Sequence, residues 1–314
     1  MGHSHPYSHH NTDEVRKTTM DPRKARLAQM ATYASVSVAL ILIGSKFYAW
    51  YISNSLSLLS TLVDSILDAA ASLLTMYAVR HAIRPADEEH RFGHAKAEAL
   101  AALAQSAFIM GSAVWLLAEA VERFITPEKV SETTTGIIVM IIAITMTIGL
   151  VMFQRYVIRE TSSLAIKADL AHYKTDLFIN IGVIIALLGT RWFEISYIDP
   201  FIGSVIAFYI LWTAWSILIE AVHILMDREL PDEDRAKIKS IALSHPEVKG
   251  MHDLRTRSAG YQVFIQLHLE LDGSMSLSEA HHISEAVMDH IMQAYPNAEV
   301  LIHEDPPTVD GVQL

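Results

Sequence analysis

Six long apolar segments constrain this chain more than any other feature of its sequence. Their approximate spans are 27–51, 56–83, 98–123, 134–156, 165–190 and 199–225. A helix needs about 20 predominantly apolar residues to cross the hydrocarbon core of a bilayer, and each segment is long enough. We therefore predict an α-helical membrane protein with six transmembrane helices.

Positive charge in the short connections predicts how these helices are oriented. Twelve Lys and Arg residues lie at one end of the predicted bundle and three lie at the other end. Since Lys and Arg accumulate in cytoplasmic loops, we expect the N-terminus to lie in the cytoplasm. Six crossings return the C-terminus to the same side, so both termini of this multi-pass protein are expected to be cytoplasmic.

The chain after Asp227 has a different composition. Residues 228–314 carry 7 Lys and Arg against 15 Asp and Glu, so this part is acidic and resembles a soluble domain. Helical and alternating patterns follow one another in the order helix (231–243), strand (248–256), strand (262–271), helix (278–294) and strand (299–303). They predict a small α+β domain of the form αββαβ. The predicted organisation is a polar His-rich tail at 1–26, a transmembrane domain at 27–227, a cytosolic domain at 228–307 and a tail at 308–314.

Composition and missing motifs exclude several classes of function. The formal net charge is −11, which argues against a nucleic-acid partner, and the absence of cysteine excludes disulfides and thiolate metal sites. The sequence contains no G-x-x-x-x-G-K-[ST] phosphate loop, no H-E-x-x-H and no G-x-S-x-G. ATP-driven transport and the usual hydrolase arrangements are therefore not predicted, whereas transport driven by an ion gradient remains.

Two pairs of ionisable residues interrupt the apolar segments. Asp64 and Asp68 lie four residues apart in the second segment, and His172 and Asp176 repeat this spacing in the fifth. Residues four apart share one face of a helix. A charge at the bilayer centre costs about 3 kcal/mol even on the lenient insertion scale. Four ionisable groups in two membrane segments therefore indicate a function that compensates this cost. If the two faces meet, three carboxylates and one imidazole form a tetrahedral site suited to Zn²⁺.

The same spacing is compatible with roles that need no metal. These roles are buried hydrogen bonding, helix pairing and a relay for protons alone. Free imidazole titrates near pH 6.5, so His172 is a candidate for proton coupling. Metal needs neutral imidazole and ionised carboxylates, so metal and protons compete for the same atoms. That competition is the chemistry of an antiporter.

Two further groups of residues could bind metal. Asp87, His90 and His94 lie in the short loop after the second segment, although acidic His-containing loops are often merely solvated. In the predicted cytosolic domain, histidines at strand ends and at a helix start could converge on one edge of the sheet. These candidates are His252, His268, His281, His303 and Asp305. They could form a two-metal site, and the alternative is a set of scattered surface histidines. His3, His5, His9 and His10 could scavenge metal weakly, although a solvated tail explains them as well.

The sequence resembles the cation diffusion facilitator family, and within it the bacterial branch that exports zinc and ferrous iron. Asp64-x-x-x-Asp68, His172-x-x-x-Asp176 and the stretches 85–98, 252–257 and 302–306 carry the resemblance. It covers about residues 25–307. The resemblance implies a homodimer in the bacterial inner membrane that exports Zn²⁺, or Fe²⁺ or Cd²⁺, in exchange for protons. It also implies a metallochaperone-like cytosolic domain that binds Zn²⁺ structurally and tightens the dimer.

The resemblance also implies roles for individual residues. It assigns the transport site to Asp64, Asp68, His172 and Asp176, a loop site to Asp87, His90 and His94, and a binuclear cytosolic site to His252, His268, His281, His303 and Asp305. Asp305 is expected to bridge two ions. Lys96 and Asp227 match a charged pair near the membrane surface, which would link two protomers or brace the hinge between the domains.

The sequence departs from the family pattern at two places, and the residues of the transport site bear on which metal is carried. Glu304 stands where Gln is expected, and the His-rich N-terminus is not typical of close relatives. Asp64 at the first position of its pair is typical of members that accept several metals. The Irving–Williams order favours Zn²⁺ over Fe²⁺, and His172 argues against Mn²⁺. The alternative functions are a membrane metal sensor or scaffold without transport and, less favoured, a membrane-embedded metal hydrolase.

Overall fold

The computed structural model describes residues 20–53, 56–126, 134–193 and 198–307. In this part of the chain, six long helices come first and a small α+β domain follows. The helices are α1 (Pro22–Ser53), α2 (Leu56–Ala82), α3 (Ala97–Ile125), α4 (Thr134–Thr161), α5 (Leu164–Phe193) and α6 (Ile198–Leu225). Five of them, all except α5, are long and apolar enough to cross a membrane over their described residues. The predicted architecture of a helical membrane protein with a small α+β domain is confirmed.

Small side chains allow the long helices to pack closely. Helix α3 packs along α6 and α1 packs along α2, while α5 contacts α3, α4 and α6. The α3–α5–α6 core contains Ala102, Ala113, Ala168, Ala214 and Ala221, all almost fully buried. Because lipid tails are as apolar as leucine, close backbone packing rather than hydrophobic burial stabilises such contacts.

The α+β domain has the predicted αββαβ order. Its elements are α7 (Asp232–Ala242), β1 (Gly250–Ala259), β2 (Gln262–Glu270), α8 (Leu277–Ala294) and β3 (Ala298–Asp305). Strand β2 is central, and it pairs antiparallel with β1 and parallel with β3. Helix α8 begins with a capping box, in which Ser276 and Glu279 each satisfy a backbone N–H of the other.

Among the described residues, helices cover one face of this three-stranded sheet and leave the other face without a helix. Ile265, Leu267 and Leu269 of β2 are buried in one cluster with Val287 and Ile291 of α8. Side chains alternate along a strand, so residue 268 of β2 faces the opposite side of the sheet. The polar side chains of that second face are therefore free to form a site.

Candidate metal sites

The contact between α2 and α5 brings three of the four predicted membrane ligands together. Asp68 Oδ1 lies 3.0 Å from His172 Nε2, and Asp176 Oδ2 lies 3.9 Å from the same nitrogen. One ligand atom from each residue lies within 4.8 Å of the others. His172 is buried, whereas the two carboxylates are partly exposed. We call Asp68, His172 and Asp176 the membrane triad; its donors are one imidazole nitrogen and carboxylate oxygens, a set that suits Zn²⁺.

Asp64 lies outside the membrane triad but lines the same cavity. This cavity has a volume of about 670 Å³ and includes Asp64, Asp68, His172 and Asp176 in its wall. Asp64 is one helical turn before Asp68 on α2 and is exposed. Its predicted role as a fourth ligand therefore stays a prediction, since the structure does not place it within 4.8 Å of the other three.

The cavity extends from the membrane triad toward the end of the bundle that lies away from the α+β domain. We call this the distal end; there α1 ends at Ser53 and α2 begins at Leu56. Lys46 of α1 and Thr61 of α2 line the cavity and lie close to those ends. The cavity thus lies on the side of the triad that faces the distal end.

Lys46 is a functional candidate that the sequence reasoning missed. Its ammonium nitrogen Nζ lies 3.1 Å from the carbonyl oxygen of Thr61 and 2.6 Å from Ser65 Oγ, and it donates to both. It lines the cavity together with Asp64 and the membrane triad. The available signal was a single Lys within the apolar segment 27–51, because a lone charge in a membrane helix is expensive and usually functional.

A buried polar network lies on the side of the triad that faces the α+β domain. Asp169 is 1% exposed. Its carboxylate accepts a hydrogen bond from Gln154 Nε2 at 2.7 Å and another from Ser72 Oγ at 3.3 Å. The Tyr173 hydroxyl lies 2.9 Å from Ser72 Oγ and donates to the Ser35 carbonyl oxygen at 3.0 Å. This network joins α1, α2, α4 and α5 between the triad and the α+β domain.

Removing the Asp169 carboxylate should destabilise the bundle. In Asp169→Leu the Gln154 amide keeps Ser35 Oγ but loses its second acceptor, and Ser72 keeps only the Tyr173 hydroxyl. Each buried group left unsatisfied costs about 1–3 kcal/mol. We expect the midpoint of thermal unfolding in detergent to fall by roughly 5 °C or more. Asp169→Asn retains an acceptor oxygen and should lose less. Equal unfolding midpoints for Asp169→Leu and the unchanged protein would contradict a structural role for this network.

The loop between α2 and α3 forms a second group of ligands. Asp87 Oδ1 lies 3.3 Å from His90 Nδ1, and Asp87 Oδ2 lies 3.2 Å from His94 Nε2. Potential ligand atoms of the three residues lie within 4.8 Å of one another. The backbone N–H of His90 donates to Asp87 and, as the largest cause, lowers the pKa of that carboxyl below its usual value. An ionised carboxylate beside two imidazoles is a suitable arrangement for a divalent ion.

The third group lies on the helix-free face of the sheet. His252, His268 and His303 occupy paired positions on β1, β2 and β3, so their side chains form a row across the three strands. Asp305 Oδ2 lies 2.7 Å from His268 Nδ1 and 3.2 Å from His252 Nε2, and Asp305 Oδ1 lies 3.3 Å from His303 Nε2. We call these four residues the sheet cluster. His268 and the neighbouring imidazoles lower the pKa of Asp305 below its usual value, because they favour its ionised form.

Glu270 is a supporting residue of the sheet cluster that the sequence reasoning missed. Its Oε1 lies 3.1 Å from His252 Nδ1, while His252 Nε2 faces Asp305. A metal-binding imidazole commonly donates its other N–H to a carboxylate, which fixes the ring. The signal was the pairing of β1 with β2, which cannot be read from the linear sequence alone.

The structure does not bring His281 or Glu304 to the sheet cluster. His281 lies on α8, which packs on the opposite face of the sheet, and its Nε2 lies 3.5 Å from Glu285 Oε1. Glu304 lies between His303 and Asp305 on β3, so the alternation of a strand directs it to the other face. The carboxylate of Glu304 is therefore directed away from the sheet cluster. His3, His5, His9 and His10 lie outside the described residues.

Lys96 and Asp227 meet within one chain at the junction of the two domains. Lys96 Nζ lies 2.8 Å from Asp227 Oδ1, and Arg257 Nη1 lies 3.4 Å from Asp227 Oδ2. The Arg257 guanidinium also lies over the rings of Phe92 and Phe264, at 5.0 Å and 4.7 Å from their centroids. These contacts within one chain are compatible with the predicted brace between the domains, and the alternative link between protomers stays a prediction.

Comparisons with known proteins identify the family of this chain. Residues 32–226 match the model of the cation efflux transmembrane domain, and residues 230–307 match that of the cation efflux protein cytoplasmic domain. The cation-efflux pump FieF of Serratia proteamaculans (strain 568) is 45% identical over 290 residues, which cover 92% of this chain and 96% of the relative. FieF of Yersinia pestis (strain Pestoides F) is 46% identical with the same coverage. A solved structure of the putative zinc transporter CzrB in its Zn form is 30% identical and covers 26% of this chain and 92% of that chain, with a TM-score of 0.25. By its match to both family models and to full-length relatives, the chain belongs to the cation diffusion facilitator family of cation-efflux membrane proteins.

Proposed function

We propose that this protein is a secondary transporter that exports divalent transition-metal ions from the cytoplasm in exchange for protons. The approach of Asp68, His172 and Asp176 to within 4.8 Å across two membrane helices is the observation that carries the proposal. Burying such groups without an ion between them would be costly, whereas a divalent cation neutralises the carboxylates. The family and the FieF relatives support cation efflux as the activity.

Zn²⁺ is the proposed main substrate, with Fe²⁺ and Cd²⁺ as further substrates. Mixed nitrogen and oxygen donors are typical of Zn²⁺ sites, and the Irving–Williams order places Zn²⁺ above Fe²⁺ at equal geometry. Mn²⁺ prefers sites made of oxygen ligands alone, so the imidazole nitrogen of His172 argues against Mn²⁺ as a substrate. We propose Asp64 as an additional ligand, since it lines the same cavity.

Protons are the proposed driving ions because they compete with the metal for the triad. A protonated His172 cannot coordinate, and a protonated carboxylate binds metal poorly. Protonation from the side with higher proton concentration therefore promotes metal release there. The chain has no phosphate-binding loop, so an ion gradient is the simplest source of energy.

The position of the cavity supports alternating access as the proposed transport mechanism. The cavity reaches the triad from the distal end, and the Asp169 network fills the bundle on the other side. We infer that this arrangement is the release state, in which the triad communicates with the extracytoplasmic side. Loading from the cytoplasm then requires α2 and α5 to separate on the side of the Asp169 network.

The proposed topology places both termini in the cytoplasm of a bacterium and the bundle in its inner membrane. We propose that residues 27–227 form the transmembrane unit, and that 228–307 form a cytosolic unit through which two chains form a homodimer. The sheet cluster would hold structural Zn²⁺ in that unit, and Asp87, His90 and His94 would hold an ion in the loop. Ion binding at these sites would stabilise the dimer rather than supply the transport path.

Flux into proteoliposomes with an imposed pH gradient tests the proposal. We expect Zn²⁺ uptake that depends on the gradient, with Fe²⁺ and Cd²⁺ also transported and Mn²⁺ transported poorly. Collapse of the gradient with a protonophore should remove the accumulation. Metal binding to the membrane triad without flux of any ion would overturn the transporter and favour a metal sensor or scaffold.

Lys46 should weaken metal binding in the cavity, since it is a resident cation beside the ligands. In Lys46→Gln the electrostatic repulsion of the incoming ion is lost, and we expect the half-saturating Zn²⁺ concentration to fall about tenfold. Maximal flux should also fall, because tighter binding slows release. Lys46→Arg retains the charge and should preserve the half-saturating concentration. An unchanged value for Lys46→Gln would show that this cation does not act on the transported ion.

A further inference from the structure

A separate groove lies on the outside of the bundle between α4, α5 and α6. Its volume is about 380 Å³, and it shares no lining residue with the cavity of the membrane triad. Lys174 of α5 lines this groove and follows His172 by two residues, which is about 200° around a helix. The groove and the triad therefore lie on opposite faces of α5.

Four cationic side chains line this groove. They are Arg155, Arg159, Lys167 and Lys174. Lys167 forms an ion pair with Glu220 of α6. Within the part of the chain that the structure describes, the other three have no hydrogen-bond or ion-pair partner. Like charges that converge without a counter-ion repel each other, so the groove is complementary to an anion.

The rest of the groove is mainly apolar. Ile158, Leu170, Ala171 and Ile217 line it, together with Thr213 and Ser216, whose hydroxyls donate to carbonyl oxygens of their own helix. A small soluble anion would leave this surface unused, whereas an amphiphile with an anionic head and an alkyl chain would contact both parts. Basic pockets between transmembrane helices on the cytoplasmic side are suited to anionic lipid headgroups.

The position of the groove along the helices matches the headgroup layer. Helix α4 has 28 residues and α5 has 30, so they extend about 42 and 45 Å, longer than the hydrocarbon core of about 30 Å. Arg159 lies two residues before α4 ends, and Lys167 lies three residues after α5 begins. Both lie at the end of the bundle next to the α+β domain. The flexible side chains of Arg155 and Lys174 can extend their charged ends along the membrane normal toward the headgroup layer.

We propose that this groove binds an anionic phospholipid from the membrane leaflet next to the α+β domain. Arg155, Arg159 and Lys174 contact the phosphate group, and an acyl chain lies along Ile158 and Ile217. The site is independent of which ion the protein carries, since it shares no residue with the membrane triad.

Binding of defined lipids to the purified full-length protein tests this site. The probes are dioleoyl-phosphatidylglycerol and dioleoyl-phosphatidylcholine, which have the same acyl chains, and native mass spectrometry counts the lipids that remain bound. We expect retention of phosphatidylglycerol in preference to phosphatidylcholine. In Arg155→Gln/Lys174→Gln the affinity for phosphatidylglycerol should fall about 30-fold, since each cation near the membrane contributes about fivefold.

A matched control is the double variant Lys24→Gln/Arg26→Gln. It removes two exposed cations near the same end of the bundle, at the start of α1, outside the groove. This variant should retain the unchanged protein's phosphatidylglycerol affinity, and both variants should elute from size exclusion as the unchanged protein does. Equal losses in the two variants, equal binding of both lipids, or displacement of phosphatidylglycerol by millimolar inorganic phosphate would each overturn the proposal.

Discussion

Asp68→Asn should reduce gradient-driven Zn²⁺ flux at least about a hundredfold while leaving the protein folded. The substitution preserves the shape of the side chain but removes the charge that faces His172 Nε2 at 3.0 Å. A neutral amide is a poor ligand for Zn²⁺ and does not offset its charge inside the bundle. The measurement is initial uptake of Zn²⁺ into proteoliposomes under a fixed pH gradient.

Ser112→Ala is the matched control for this substitution. Ser112 lines the same cavity, but its hydroxyl donates to the Phe108 carbonyl oxygen in its own helix. Its flux should therefore stay close to that of the unchanged protein. Size exclusion and the midpoint of thermal unfolding verify that both variants are folded. Normal flux in Asp68→Asn would show that the membrane triad is not the transport site.

Asp305→Asn should largely remove the stabilisation of the cytosolic domain by added Zn²⁺. Asp305 is the carboxylate that faces the imidazoles of His252, His268 and His303, so it is the shared anion of the sheet cluster. Zn²⁺ at 100 times its dissociation constant stabilises a folded state by about 2.7 kcal/mol. If the loss of the charge weakens binding about a hundredfold, only about 0.4 kcal/mol remains. The measurement is the Zn²⁺-dependent change in the unfolding midpoint of the cytosolic domain within the full-length protein.

Glu304→Gln is the appropriate comparison for Asp305→Asn. It removes a carboxylate from the adjacent residue of β3, on the opposite face of the sheet. We expect its Zn²⁺-dependent stabilisation to match that of the unchanged protein. If Glu304→Gln lost the effect of Zn²⁺ and Asp305→Asn retained it, the sheet cluster would not be the binding site.

The sequence predicted the elements of the fold well because their signals are local. The apolar segment predicted at 165–190 corresponds to α5 at Leu164–Phe193, although four charged residues lie within 167–176. The strand predicted at 248–256 is displaced, since β1 extends over Gly250–Ala259. The register of β1 against β2 shifts between His252 and Arg255, and such an irregularity depends on tertiary pairing.

The sequence predicted which residues share a face or a loop more reliably than it predicted the contacts between elements. The spacing of His172 and Asp176 fixes their shared helical face, and the group of Asp87, His90 and His94 is contained in one loop. Distances between elements are not encoded in spacing. For this reason the sequence did not reveal that Asp64 lies outside the triad or that Lys46 of α1 lines the cavity. It also did not reveal that His281 lies on the face of the sheet opposite the sheet cluster.

The size of the cavity determines whether an ion inside it can keep its hydration water. A volume of about 670 Å³ holds on the order of twenty water molecules at about 30 Å³ each, far more than one bare cation needs. An ion between the distal end and the membrane triad can therefore retain its hydration shell, and it exchanges water for protein ligands only in its final step. Water in this cavity would also give protons a route to His172. Under the proposed function, dehydration at the triad, rather than passage through the bundle, would then be the step at which one metal is distinguished from another.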